Sequence, residues 1–336
     1  MNTLLDPAIL FFAFGVLAGA LRSNLEIPQP ISKFLSLYLL MALGLKGGFA
    51  LAQSGWNPSM VAGIGAAMTM AVLVPAIGYA FLRRHASGFD AAAVAAAYGS
   101  VSAVTFVTAM QVLESQNIAF GGHMTVAMVV MESPAIIMAV LLASSLRHAA
   151  ASTSIAPVGG GSAALAHAAP NSGVPLRRVL HESFTDGAHL LLLGSMAVGY
   201  LSGDAGQAMM KPFSGDLFKG MLAFFLLDMG LMVARNFAAA RAQSPMLIGY
   251  AAVSPAVHAA VALGLATLLG LSVGDAVLLM VLSASASYIV VPAVLRYAIP
   301  EANPSLYFGL SLGVTFPLNI LVGIPLYTWM ARTVLG

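Results

Sequence analysis

The sequence contains no cysteine, few charged residues and no basic stripe. Without cysteine, the protein has neither a disulfide nor a thiol nucleophile. Only 8% of its 336 residues are charged, whereas a soluble domain carries roughly 25%, so lipid must cover much of the surface. The net charge of +2 argues against a nucleic-acid partner. The patterns His-x-x-x-His and His-Glu-x-x-His are both absent, which leaves a transition-metal site without support.

Long apolar runs dominate what is present. A helix of about 20 residues crosses the roughly 30 Å of hydrocarbon in a bilayer, and we count ten runs of comparable length. They cover residues 7–22, 31–52, 58–82, 90–114, 121–146, 184–203, 214–235, 244–270, 274–297 and 304–333. We therefore predict an all-α integral membrane protein with ten transmembrane helices.

The fifth and sixth runs are separated by residues 147–183. The centre of this segment is rich in Ala, Ser, Gly and Pro and lacks Lys, Arg, Asp and Glu, which predicts a flexible linker that ends in a short surface helix near residues 176–182. The halves on either side, residues 1–146 and 184–336, resemble each other weakly. Five helices in each half is an odd number, so the second half must enter the bilayer inverted, as in many secondary transporters.

The repeat depends on residues that match at a nearly constant offset of 183 to 187 positions. The pairs are Lys33 with Lys219, Leu40 with Leu226, Gly44 with Gly230, Leu45 with Leu231, Pro58 with Pro245, Ser100 with Ser285, Ser102 with Ser287 and Pro134 with Pro317. Their common order favours an inverted repeat over chance.

The basic residues of the loops give an orientation. Ten lie on one side of the predicted membrane, namely Arg22, Lys33, Arg83, Arg84, Arg147, Arg177, Arg178, Arg235, Arg241 and Arg296, and four on the other, Lys46, Lys211, Lys219 and Arg332. Lys and Arg favour the cytoplasmic side. We expect the linker in the cytoplasm and both termini outside.

Two runs are interrupted by glycine and small hydroxyl residues at corresponding places, residues 98–106 and 283–289. Gly weakens a helix and Ser favours caps, and a pair of interrupted helices is typical of a transporter's binding site. A half-helix that starts there would present free N–H groups to an anion. The predicted substrate-binding residues are Gly99, Ser100, Ser102, Ala103, Ser285, Ala286, Ser287 and Tyr288. Close helix packing through small residues is the alternative.

Two acidic residues lie at membrane depth. Glu132 precedes Pro134, which frees a backbone carbonyl, and an isolated central Asp costs about 2.5–3.5 kcal/mol in a membrane. Oxygen ligands suit a hard cation, so we predict a Na⁺ site at Ser102, Thr105, Glu132, Ser287, Thr315 and Asn319. A protonated Glu132 that only ties helices together is the alternative. Asp228 is either a coupling or gating residue or a contact between helices or subunits.

Several motifs follow one another over nearly the whole chain except the linker. They lie at residues 34–40, 44–48, 98–106, 131–136, 226–230, 283–289, 300–307 and 312–319. In this order they resemble the sodium-dependent bicarbonate transporters of the SbtA type.

The resemblance implies a Na⁺-coupled symporter that takes up bicarbonate across the bacterial inner membrane. It implies an elevator-like movement of a core domain, helices 3–5 and 8–10, against a scaffold or gate domain, helices 1, 2, 6 and 7. Helices 4 and 9 are then discontinuous and cross at the site. The resemblance also implies a homotrimer and a PII-like cytoplasmic regulator, although the Ala/Gly/Ser-rich linker departs from what regulation leads us to expect. It implies no enzymatic activity, and no cofactor beyond Na⁺ as coupling ion.

Other functions remain open at this point. A cation/proton antiporter also uses crossed broken helices, but usually with a carboxylate at the crossing itself, where this chain has Ser. A Na⁺ symporter of another small carboxylate fits the same pattern. An intramembrane enzyme would need a nucleophile and a base. His258 is the available base, and no Gly-x-Ser-x-Gly motif accompanies it.

Overall fold

The computed structural model describes residues 5–54, 58–153 and 187–336, and every regular element in these ranges is a helix. We number them α1 (Pro7–Ala20), α2 (Gln29–Ser54), α3 (Pro58–Leu82), α4 (Gly88–Gly99), α5 (Ala103–Ser115), α6 (His123–Thr153), α7 (Gly187–Lys211), α8 (Leu217–Arg241), α9 (Pro245–Leu268), α10 (Val273–Ala284), α11 (Val290–Ala298) and α12 (Pro304–Leu335). A π-helical turn, Pro212–Asp216, joins α7 to α8, and α12 contains two more, Ser311–Thr315 and Asn319–Gly323.

Seven helical stretches in the described ranges are long and apolar enough to cross a membrane. They differ from the ten predicted runs at three places. Helices α1 and α10 are apolar but have only 14 and 12 residues. Helices α7 and α8 form one stretch, Leu190–Arg241. This stretch bends at Gly203, where φ is 55° and ψ is −146°, a conformation that glycine adopts without a steric penalty. The bend lies where the sixth predicted run ends.

Helix α6 is longer than the sequence analysis predicted. It continues to Thr153, so the assignment of residues 147–153 to a flexible linker is wrong. These residues include three consecutive alanines, and alanine has the highest helix propensity. The centre of the predicted linker and the short helix near residues 176–182 lie outside the described residues.

Helices α1, α2, α7 and α8, which we call the four-helix group, pack chiefly as two pairs. In the α2–α7 pair, a Cβ added at Gly44 would lie 2.5 Å from the carbonyl oxygen of Leu192. In the α1–α8 pair, a Cβ at Gly230 would lie 2.3 Å from the carbonyl oxygen of Phe12. Each glycine therefore permits a close helix approach of the kind common in membranes. Gly44 and Gly230 are one of the matched pairs, and each packs on a helix of the opposite half.

The remaining helices, α3–α6 and α9–α12, form the broken-helix group around α4 and α10. Both central helices are almost completely buried, from Ala91 to Gly99 in α4 and from Gly274 to Ala284 in α10. Apart from Asp275 and Ser283 in α10, the residues of these stretches are apolar around the whole circumference, as burial on every side requires.

Helices α4 and α10 begin with the same cap. Ser87 accepts a hydrogen bond from the N–H of Asp90, and Ser272 accepts one from the N–H of Asp275. Each Asp carboxylate also accepts a backbone N–H from the opposite half, Asn303 to Asp90 and Gly121 to Asp275, both at 2.7 Å. These caps were not identified in the sequence, although the spacing Ser-x-x-Asp is a known helix-start signal.

Candidate functional site

The first break lies between α4 and α5. Helix α4 ends at Gly99, Ser100 is extended with φ −92° and ψ −176°, and α5 begins after Ser102. The Ser102 hydroxyl oxygen accepts the N–H of Thr105 at 3.2 Å and the Thr105 hydroxyl at 3.0 Å. Because the Ser102 side chain satisfies only one of the first N–H groups of α5, the others remain available at this helix end. The break therefore presents an electropositive helix N-terminus.

The second break lies between α10 and α11. Helix α10 ends at Ala284, Ser285 is extended with φ −82° and ψ 164°, and α11 begins at Val290. The Ser287 hydroxyl oxygen accepts the N–H of Val291 at 3.2 Å. This break is longer than the first, and residues 285–288 are all buried.

The two breaks contact each other through backbone groups. The N–H of Ser102 donates to the hydroxyl oxygen of Ser285 at 2.9 Å, and the N–H of Ser287 donates to the carbonyl oxygen of Ala97 at 2.7 Å. Each bond joins one half of the sequence to the other. The predicted substrate-binding residues are therefore brought together at one crossing point, 183 or more positions apart in sequence.

A cavity of about 80 Å³, which we call the site cavity, lies at this crossing. Since a water molecule needs roughly 10–15 Å³ of such space, the cavity has room for a small solute. Five predicted site residues line it, Ser102, Ala103, Glu132, Ser287 and Tyr288. The four-helix group closes the other side with Ser36, Leu39, Leu40, Ala188, Leu192 and Phe225. This wall was not identified in the sequence, because an apolar run does not reveal which of its faces meets a site.

The charges at the site cavity have opposite signs. Glu132 is 8% exposed and is the charged residue among those that line the cavity. The N-terminus of α5, with about half a positive charge, borders the same space. An anion at the helix end and a cation beside Glu132 could therefore occupy the cavity together.

Ser100 and Gly99 lie in the wall behind the crossing rather than in the lining of the site cavity. The Ser100 hydroxyl is 1% exposed and has no hydrogen-bond partner among the described residues, a state that costs about 1–3 kcal/mol. Such an atom is typical of a site that awaits a polar ligand or an ordered water. A Cβ at Gly99 would lie 2.5 Å from the ring of Pro75, so this glycine lets α4 pack against α3.

Thr315 and Asn319 do not line the site cavity, although we predicted them as Na⁺ ligands together with Glu132. The Thr315 hydroxyl lies 2.6 Å from the Tyr98 hydroxyl and donates to the carbonyl of Ala251 at 2.8 Å. This carbonyl has lost its helical partner because the residue four positions on, Pro255, has no N–H. Thr315 thus holds the C-terminal end of α4 in place through its contact with Tyr98.

Asn319 has the equivalent position at the end of α10. Its side-chain amide donates to the carbonyl of Ala284 at 2.8 Å, and its carbonyl oxygen accepts the Tyr327 hydroxyl at 3.0 Å. Ala284 is the last residue of α10, so Asn319 satisfies one of the carbonyls that every helix end leaves free. Of the six predicted Na⁺ ligands, the structure places Ser102, Glu132 and Ser287 at the site cavity and Thr105 directly behind Ser102.

Asp228 lies within the four-helix group. It is 8% exposed, and its carboxylate accepts the hydroxyl of Ser32, which joins α8 to α2. Asp228 does not line the site cavity. The next residue along α8 is Met229, and its sulfur accepts a long hydrogen bond of 3.9 Å from the Tyr288 hydroxyl. Asp228 is therefore adjacent in sequence to a residue that contacts the second break.

A comparison with known protein families identifies one family. The model of the Na⁺-dependent bicarbonate transporter superfamily matches residues 7–332, which include both breaks, Glu132 and most of α12. No curated protein matches the chain.

Proposed function

Because the chain belongs to the Na⁺-dependent bicarbonate transporter superfamily, we propose that it is a symporter that takes up bicarbonate together with Na⁺ at the crossing of its two broken helices. The observation that carries this proposal is the pair of hydrogen bonds between the breaks, Ser102 to Ser285 and Ser287 to Ala97, beside a cavity that contains Glu132.

The anion binds at the start of α5. Backbone N–H groups at a helix N-terminus coordinate oxyanions without the help of arginine, and small side chains such as Ala103 leave room for close approach. The hydroxyl of Ser287 supplies a further donor at the site cavity, and Ser100, Ser285, Ala286 and Tyr288 complete the surrounding wall. A planar oxyanion of four heavy atoms suits a cavity of about 80 Å³.

Na⁺ binds beside Glu132. Carboxylate and hydroxyl oxygens are the ligands that a hard cation prefers, and Glu132, Ser102 and Ser287 offer them at the site cavity. Thr105, which lies directly behind Ser102, offers a further hydroxyl oxygen. Without the cation, the carboxylate of Glu132 would repel a bound anion. Na⁺ removes this repulsion, so each ion raises the affinity for the other by the same factor. Thr315 and Asn319 support the site by holding the ends of α4 and α10.

Transport moves the broken-helix group against the four-helix group. This proposal includes the ten predicted membrane spans in two inverted repeats, the homotrimer and the elevator-like movement. Two observations support the repeat. The glycine contacts at Gly44 and Gly230 are alike, and the caps at Asp90 and Asp275 each bind a loop of the opposite half. The bacterial inner membrane and a PII-like regulator are expectations from the resemblance, whereas external termini and a cytoplasmic linker are expectations from the basic residues of the loops.

The test is uptake of labelled bicarbonate by the purified protein in vesicles, in alkaline buffer where little CO₂ forms. We expect uptake in Na⁺ buffer and almost none in K⁺ buffer. Equal uptake in the two buffers would contradict Na⁺ coupling. Nitrate, formate and acetate as competitors distinguish bicarbonate from another small anion, and the internal pH under a Na⁺ gradient distinguishes symport from cation/proton exchange.

A further inference from the structure

A second cavity, of about 560 Å³, follows the site cavity along the same helices. On α2, the site cavity touches Ser36 to Leu40 and the second cavity touches Lys46 to Ala50. On α5, the site cavity touches Ala103 to Val107 and the second cavity touches Met110 and Glu114. The two cavities therefore lie at different depths of the membrane, between the same two helices.

An ion pair lines the second cavity. The Lys46 ammonium donates to both carboxylate oxygens of Glu114, at 3.0 Å and 3.2 Å. The same ammonium lies 4.2 Å from the centre of the Phe218 ring, within the range of a cation–π contact. The two charged side chains are 20% and 33% exposed. A charge-assisted pair with partial burial is stronger than a typical surface pair.

This pair joins the two helix groups. Lys46 and Phe218 belong to the four-helix group, whereas Glu114 belongs to the broken-helix group. Two further ion pairs, His123 with Asp275 and Arg147 with Glu301, lie inside the broken-helix group. Lys46–Glu114, in contrast, crosses the boundary between the two groups.

Glu114 is also placed at the far end of the helix that forms the anion site. Helix α5 starts behind Ser102 and ends at Ser115, and its 13 residues span roughly 20 Å. A carboxylate in the last turn of a helix opposes the helix dipole, so Glu114 does not serve the stability of α5 itself. Its effect is to attach the C-terminal end of α5 to α2, while the N-terminal end of α5 lines the site cavity.

We propose that Lys46 and Glu114 form a latch that holds the broken-helix group in the conformation of this structure and opens in each transport cycle. The proposal rests on the proposed function, because it requires that the two groups move. A shift of α5 by one helical turn, about 5.4 Å, would separate atoms that are now 3.0 Å apart. Loss of the latch therefore populates the state in which the site cavity faces the opposite side of the membrane.

The experiment uses a single cysteine as a reporter of accessibility, which is practical because the chain has no cysteine. Val107→Cys places it in the lining of the site cavity, on α5. Labelling by a membrane-impermeant maleimide is measured in vesicles of both orientations. The latched protein is labelled faster from one side. We expect Lys46→Met and Glu114→Gln to increase labelling from the slower side about three- to tenfold.

Three further variants separate charge pairing from packing or misfolding. Lys46→Arg keeps the charge and should keep the labelling rates of the parent. The exchange Lys46→Glu with Glu114→Lys should recover most of the parental asymmetry. Arg147→Gln removes an ion pair inside the broken-helix group and should change neither rate. Unchanged labelling in both neutral variants, or an exchange that recovers nothing, would overturn the latch.

Labelling requires no transported ion, so the two proposals fail separately. If labelling shifts as expected but bicarbonate uptake is independent of Na⁺, the latch stands and the coupling proposal fails. If uptake depends on Na⁺ but labelling of the Lys46 and Glu114 variants equals that of the parent, the latch alone is wrong.

Discussion

The two breaks have matching sequences but different surroundings. The first break is followed by α5, which Ser102 caps, and Glu132 lines the cavity beside it. The second is followed by α11, whose N-cap position, Ile289, offers no side-chain cap. At the position that matches Glu132, the second half has Thr315, which bonds to Tyr98 and Ala251 instead of lining the cavity. The first half thus provides the charged and capped groups of the site, and the second half braces them.

The largest effect should separate Glu132 from its counterpart Thr315. Glu132→Gln removes the carboxylate from the proposed Na⁺ site, so we expect the Na⁺ concentration for half-maximal uptake to rise about 10- to 100-fold, since a charged oxygen ligand is lost. Thr315→Val should lower the melting temperature with a smaller change in Na⁺ dependence. The measurement is uptake as a function of Na⁺ concentration, with the exposed Glu26→Gln as control. An identical Na⁺ dependence in Glu132→Gln and the parent would remove Glu132 from the site.

The next comparison is between Ser102 and Ser287. An N-cap serine contributes about 0.5–2 kcal/mol, and about 1.4 kcal/mol is a tenfold change in affinity. Ser102 orders the first turn of α5, whose N–H groups bind the anion in the proposed function, and it also lies at the proposed Na⁺ site, so Ser102→Ala should raise the bicarbonate concentration for half-maximal uptake about tenfold. Ser287→Ala should raise it less, because the second break has no regular helix cap. Ser145→Ala, whose hydroxyl bonds to its own helix at Leu142, is the control. A larger effect at Ser287 would reverse the assignment of the anion to α5.

A third comparison concerns the caps of α4 and α10. Asp275 is 5% exposed, and Asp90 is less buried, so Asp275→Asn should lower the melting temperature more than Asp90→Asn. The expected losses are about 1–3 kcal/mol for the buried cap and about 0.5–1 kcal/mol for the other. Thermal unfolding in detergent measures both. Asp216→Asn is the control, since Asp216 begins α8 without a side-chain cap bond. Equal losses would show that burial does not distinguish the two caps.

The smallest effect concerns the ion pair between Arg147 and Glu301, which lies in the loop before α12. The hydrogen bond from Arg147 lowers the pKa of Glu301 below its usual value. Because the folded state has the lower pKa, the pair stabilises the protein above about pH 4.5, the ordinary pKa of this carboxyl group, and this contribution is lost as the pH falls through the lowered pKa. Glu301→Gln should lower the melting temperature slightly at pH 7 and not at all in strong acid. A difference that persists unchanged at low pH would exclude the charge as its cause.

Much of the local structure could be predicted from residue chemistry. Pro58 and Leu82 bound α3 as predicted, and Gly99 precedes a break in the helix because glycine and serine weaken helical hydrogen bonding locally. The extension of α6 to Thr153 was not predicted, because a composition of alanine, serine and glycine suits both a helix and a linker. The sixth predicted apolar run ends at residue 203, but the kink at Gly203 was not predicted.

The sequence by itself determined where helices form and where they break, because hydrophobic length, Gly, Ser and Pro act over a few residues. Only the tertiary structure decided which groups meet. A helix that is apolar on every side carries no periodic signal of its facing partners. For this reason Thr315 and Asn319, which have the oxygen atoms of cation ligands, were assigned to Na⁺ from sequence. In the fold they hold the ends of α4 and α10, because backbone groups left free by Pro255 and by a helix end lie within their reach.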